Sequence, residues 1–181
     1  MQHRHLLVAA IALAVASCSG PEDASTAPAA SAIPAELSAA QHHGAYRPPL
    51  GPLPVAELQR ARRATARYHD IRNAVADGYV DINVVIPNMG RHFLNDSLLD
   101  AKFEAERPEL LVYSPHENGR MELVAVEYAV PLDLSAAAPD GFRGAADQWF
   151  ADHRFGLWTL HAWTWKGNPD GVFSPTNTRV P

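Results

Sequence analysis

Cysteine is almost absent: Cys18 is the only one among 181 residues. One thiol cannot close an intrachain disulfide or build a cysteine zinc cluster. Any metal would therefore fall to the nine histidines and to carboxylates. Basic charge is also scarce. Fifteen lysines and arginines face 20 acids, a net charge of −5 at pH 7, and no block of Lys and Arg occurs. Affinity for phosphate rests on clustered cations, so a nucleic-acid partner is excluded. No apolar run reaches the roughly twenty residues that a membrane-spanning helix needs. The sequence holds no H-E-x-x-H, no Gly-rich phosphate loop, no serine in a G-x-S-x-G context and no internal repeat.

What is present is unevenly spread. A short basic start, Met1 to His5, leads into the apolar run Leu6 to Ala16, a secretory signal in length and order. The run ends in Val15-Ala16-Ser17-Cys18, which resembles the bacterial lipobox. That resemblance implies a signal peptide over 1–17, cut before Cys18, with a diacylglyceryl group on the thiol and an acyl chain on the new amino terminus. Small residues suit the peptidase, and only a thiol forms the thioether. Each buried methylene contributes about 0.8 kcal/mol, so three chains would hold the protein on the membrane durably. Ser19 rather than Asp after the cysteine implies, for a Gram-negative host, the periplasmic face of the outer membrane. The alternative is an ordinary cleavable signal with an accidental cysteine.

Residues 18–53 are rich in Ala, Pro and Ser, with prolines at 21, 28, 34, 48, 49 and 52 and hardly a large apolar residue before Leu50. Such a stretch buries too little surface to offset its ordering entropy, and reads as a disordered tether. His42-His43 within it could bind metal adventitiously or simply be solvated. The remaining 54–181 form one domain, with 17 acids against 13 bases.

Pro54 suits the first turn of a helix. Leu58, Ala61, Thr65, Tyr68, Ile71, Val75 and Tyr79 follow at three- and four-residue steps, with Arg60, Arg63, Arg67 and Asp70 opposite and Gly78 placed to end the run. The arginine face reads as a solvated surface, with phosphate binding as the alternative. The period then falls to two. Val80, Ile82 and Val84 predict a strand, ended by a turn at Pro87 to Gly90. A second strand over Glu109 to Ser114 is joined to a third, Met121 to Val130, through Asn118-Gly119, a strong hairpin signal. A short helix is expected near Ala145 to His153 and a fourth strand from Gly156 to Trp165. The expected fold is α+β: one N-terminal helix packed on a mainly antiparallel sheet of four or more strands.

Three polar residues sit awkwardly in this scheme. On the third strand Leu123, Ala125, Glu127 and Ala129 should share one face and Val124, Val126, Tyr128 and Val130 the other. Both faces look buried, so Glu127 is a carboxylate in apolar company. It must be protonated, paired with a cation or bound to metal. His161 would share a face with Leu157, Thr159, Trp163 and Trp165, and His92 follows the turn at Asn88 to Gly90. Two imidazoles and a carboxylate from three elements would make a site for one divalent transition metal ion, Fe(II), Zn or Mn. The alternative satisfies Glu127 with Arg91, Arg72 or a tyrosine and makes His161 a neutral core residue bonded to a carbonyl.

The blocks Tyr68–Tyr79, Asn88–Asn95, Pro108–Tyr113, Leu123–Tyr128 and His161–Trp165, with Asn168-Pro-Asp-Gly171, resemble a family of secreted bacterial proteins of uncharacterised activity. The likeness covers about Ala66 to Pro181. It turns on a Met-Gly-x-His turn, a Val-Glu-Tyr strand and a His-x-Trp-x-Trp strand, and so implies that His92, Glu127 and His161 belong together. Two functions follow. In one, these residues hold a metal or small ligand in a pocket floored by the sheet and roofed by the helix, with Tyr68, Asp70 or Tyr128 as supporting partners. An enzymatic form would need Glu127 as general acid or base beside the metal. In the other, the domain is a non-catalytic envelope module whose tryptophans or arginine face meet a protein or a polymer such as peptidoglycan. For the anchor, Cys18→Ala should move the protein from the membrane fraction to the soluble fraction and abolish labelling by a radioactive fatty acid. Retention on the membrane at unchanged size would refute the lipobox.

Overall fold

The computed structural model describes residues 52–144 and 146–181. The signal, Cys18 and the tether as far as residue 51 lie outside these residues. Helix α1, Val55–Thr65, begins right after Pro54, with Glu57 in its first turn and Arg62 and Arg63 in its last. A 3-10 turn, Ala66–His69, follows. The backbone is extended at Asp70, whose carboxylate accepts the Arg72 N–H and caps helix α2, Ile71–Ala76. At the far end Tyr79 N–H donates to Ala74 O and Gly78 N–H to Val75 O, with Gly78 at φ +97°. This paired closure explains the glycine. The 3-10 turn also changes the phase of the helical face, because it advances 120° per residue instead of 100°. Ala74 is consequently the buried residue of α2, and Val75, expected inside, is 58% exposed.

The strands are β1 (Val80–Ile86), β2 (Gly90–Leu94), β3 (Leu110–Pro115), β4 (Met121–Pro131), β5 (Phe150–Asp152) and β6 (Leu157–Ala162). They form one sheet in the order β1-β2-β3-β4-β6-β5, with every neighbouring pair antiparallel. The class is α+β. Two strands were not read from the sequence. The turn stands at residues 87–89 as expected, but β2 follows it and carries His92, and β5 lies where a short helix was expected near Ala145 to His153. β6 also stops at Ala162, short of the expected Trp165.

β4 is buried continuously from Leu123 to Val130, as its run of apolar residues implied. Its register with β3 shifts between Val112 and Tyr113, where two steps on β4 match one on β3. Such a bulge turns the side chains beyond it to the other face. Leu123 therefore joins Val126 and Tyr128 in the larger core cluster, with Leu111, Tyr113 and Leu160, instead of sharing the face of Glu127. Leu58, Tyr68 and Ile71 pack against that same cluster. Ala125 goes to a second cluster with Val112, Trp163 and Val180. The alternation of β4 about Tyr128 leaves Glu127 on the opposite side of the sheet.

Gly90 opens β2 at φ +100°, and a Cβ there would lie 2.7 Å from the carbonyl oxygen of Tyr113. Backbone conformation and close approach both demand glycine. Gly90→Ala should therefore lower the free energy of unfolding by about 2 kcal/mol or more, read from the urea midpoint. A midpoint within error of wild type would show that the turn relaxes freely.

Candidate metal centre

Cross-strand register brings the three awkward residues together. Glu127 on β4 lies directly opposite His161 on β6 and Leu110 on β3. His92 lies opposite Val112, which pairs in turn with Ala125, two residues before Glu127. The carboxylate thus sits between two imidazoles: His161 Nδ1 is 3.3 Å from Oε1, and His92 Nε2 is 3.5 Å from Oε2. One donor-type atom from each residue lies within 4.8 Å of the other two, and all three side chains are buried. Such a group could hold a metal ion. For metal–ligand bonds of about 2.0–2.1 Å, neighbouring ligand atoms of a tetrahedral site stand about 3.3–3.4 Å apart, so three atoms within 4.8 Å could close on one ion with small side-chain shifts.

Local interactions orient each ring. His92 Nδ1 is 3.1 Å from Val84 O. A carbonyl only accepts, so Nδ1 carries the proton in that bond and Nε2 is the nitrogen directed at Glu127. This is the arrangement by which metal-bound histidines are held. The His161 ring stacks on Trp163, centroids 6.0 Å apart and planes at 23°, and meets His92 edge-on at 5.8 Å. Trp163 is itself fixed by its backbone N–H on Val172 O and its indole N–H on Ser174 O. The C-terminal segment also reaches the other histidine: Asn177, fully buried, donates its backbone N–H to Asn88 O in the turn before His92. Asn168 of the Asn-Pro-Asp-Gly turn holds this segment through Thr176 O.

The alternative partners of Glu127 are engaged elsewhere. Arg91 binds Asp81 at 2.6 Å and Asn83 at 3.1 Å, and Arg72 binds Asp70. The hydroxyls of Tyr68, Tyr79, Tyr113 and Tyr128 donate to Asp77, Pro108 O, Tyr68 O and Ala105 O respectively. Among the described residues, the basic side chains within 4 Å of the Glu127 carboxyl are the two imidazoles, which are charged only if protonated. These contacts also place Tyr68, Asp70 and Tyr128 away from the triad. Tyr128 alternates with Glu127 and faces the other side, Asp70 caps α2, and Tyr68 belongs with the helical run.

Burial is the main force pushing the Glu127 carboxyl well above the usual carboxylate range, with the charges of Asp152 and Glu109 adding to it. Both of those acids are buried as well. Sequence reasoning missed them. Asp152 accepts the N–H groups of Arg154 and Phe155 and shapes the turn from β5 to β6. Glu109 accepts Ala129 N–H at 3.0 Å just before β3 begins. Asp152 stood in a presumed helix and Glu109 at a presumed strand end, where acids ordinarily meet water. A cation placed among such groups would favour their charged forms.

A cavity of about 220 Å³ opens against His92 and Glu127. Its floor includes Val84, Leu110 and Thr159, and its outer wall is formed by Leu99 and Phe155. No residue of the helical run lines it, so the expected helical roof is replaced by the segments following β2 and β5. No protein-family model, no curated protein and no solved structure matches the chain.

Glu109 yields a pH prediction. Burial pushes its carboxyl up to about 8, aided by Asp100 and Glu104 and opposed by the Ala129 N–H. The folded state then binds a proton that the unfolded state, with a pKa near the usual 4.5, releases. This contribution to stability is complete below pH 4.5 and fades as pH rises to about 8. Glu109→Gln should lose less stability than wild type across that interval, so the difference between their melting temperatures should shift in its favour toward pH 8. Parallel melting curves for both proteins would exclude this reading.

Proposed function

We propose that the protein is a lipid-anchored cell-envelope protein whose domain binds one divalent transition metal ion through His92, Glu127 and His161. The observation that carries this reading is the spacing of the triad: three donor atoms of the right types, from three strands, within 4.8 Å of one another. Two imidazoles and one carboxylate suit Fe(II), Zn or Mn and leave coordination positions open. The backbone acceptor on His92 supports it, since a ligand histidine needs its second nitrogen fixed. The helical run covers the sheet face opposite the triad, so the two faces would divide packing from chemistry. Cys18 would hold the domain at the membrane, with the tether 18–53 as spacer.

The reading as an interaction module draws less support. Trp158 and Trp165 donate to Ser135 O and Thr65 Oγ1, and Arg62 lies over the Trp165 ring at 4.4 Å. Arg60 and Arg67 pair with Glu57 and Asp77. The two tryptophans are engaged within the domain, while Arg60 and Arg67 pair on a surface that stays exposed, as a solvated helix face does.

The full chain carrying Cys18→Ala, purified without a tag, should contain close to one equivalent of a transition metal. Glu127→Gln and His161→Ala should remove it while the far-ultraviolet spectrum is retained. Metal supplied at about 100 times its Kd to the chelator-treated wild type should add about 2.7 kcal/mol of stability, and nothing to the variants. Absence of bound metal, with melting indifferent to chelator and added metal, would refute the metal centre and leave the triad a structural core.

A further inference from the structure

The pocket against the triad has a chemistry of its own. Its floor is buried and mixed: His92, Glu127 and Thr159 among Val84 and Leu110, each 5% exposed or less. Its rim is half-buried and apolar, with Ile82, Leu94, Leu99, Phe155 and Leu157. The opening is therefore on the rim side and the polar groups lie at depth. A ligand entering this way must shed water from its body along apolar walls before any polar atom finds a partner. Strongly polar or multiply charged molecules lose hydration there without replacement. Apolar ones gain by burial. Size narrows the class further. A cavity of about 150 Å³ lined by Leu, Ile and Phe holds benzene, and this one measures about 220 Å³. One ring or a short aliphatic chain fits, with room for a small head group.

His92 and Glu127 belong to both the pocket and the triad. We infer that the pocket is the binding site for a small, mainly apolar molecule bearing a single oxygen-donor head, which meets a metal held by His92, Glu127 and His161. The inference rests on the metal centre proposed above and adds the ligand class. Leu99 lies outside the strands, on the rim, so a larger side chain there fills the pocket without touching the three ligands.

Benzohydroxamate and acetohydroxamate share one metal-binding head and differ only in their apolar part. The full chain with Cys18→Ala, loaded with Co(II), would be titrated with each and followed by its visible spectrum. Benzohydroxamate should bind at least about tenfold more tightly than acetohydroxamate. Leu99→Trp should retain its cobalt by elemental analysis yet lose most of that preference. Cobalt bound in the triad with equal affinity for the two hydroxamates overturns the ligand class and leaves the metal centre standing. Failure to take up cobalt, or the same uptake and spectrum in His161→Ala, overturns both. The comparison of the two probes on the wild-type residue at 99 decides the matter even if Leu99→Trp folds poorly.

Discussion

The buried carboxylate on the central strand is the constraint around which this domain is arranged. Glu127 is 2% exposed in a strand buried from Leu123 to Val130. A charge in that position is too costly to keep without compensation, and the compensation must come from the strands on either side. β6 supplies His161 directly opposite. On the other side β3 offers only Leu110 and Val112, so the second imidazole comes from one strand further out, on β2. That reach explains why β2 must begin so close to β3. Gly90, with the Tyr113 carbonyl where a side chain would begin, is the consequence.

The C-terminal segment answers to the same constraint. Rings that face a buried carboxylate have to be held in orientation, because a rotated imidazole presents carbon instead of nitrogen. Trp163 stacks on one ring, and the turn before the other receives the Asn177 N–H. Segments that a sequence reader takes for a trailing loop thus tie the two histidine-bearing elements together. The Asn-Pro-Asp-Gly turn is placed to send the chain back across them.

Much of this was legible in the sequence, for physical reasons that can be named. A long strand apolar on both faces announces that it is central, so the one carboxylate within its stretch from Leu123 to Val130 stands out. His161 is flagged by the same logic. The hairpin at Asn118-Gly119 is present, with Gly119 at φ +78° and its N–H on His116 O. The failures also share a cause, since each depended on information held outside the local pattern. A 3-10 turn shifted the helical phase and exchanged Val75 for Ala74. A bulge moved Leu123 to the other face. Trp163 and Trp165, read as one strand face, separate because β6 ends at Ala162, and they reach different clusters. The three-residue β5 is too short to carry a periodicity at all, so Asp152 could not be recognised as buried.

The two faces of the sheet resolve their polar groups in opposite ways. In the larger core cluster Tyr79, Tyr113 and Tyr128 are buried and each hydroxyl ends on a backbone carbonyl. Neutral donors matched one to one with neutral acceptors fix a core and leave little chemistry. On the other face Glu127 is buried together with two imidazoles, His92 and His161. Burial there resists ionisation, which is the main reason the Glu127 carboxyl is raised, with the charges of Asp152 and Glu109 adding to it. Packing alone would have favoured apolar residues at these positions. A divalent cation would reverse the sign of the problem, because it would favour the charged carboxylate that burial opposes. On the proposed reading, His92, Glu127 and His161 beside an apolar cavity would serve a bound cation more than the needs of the fold.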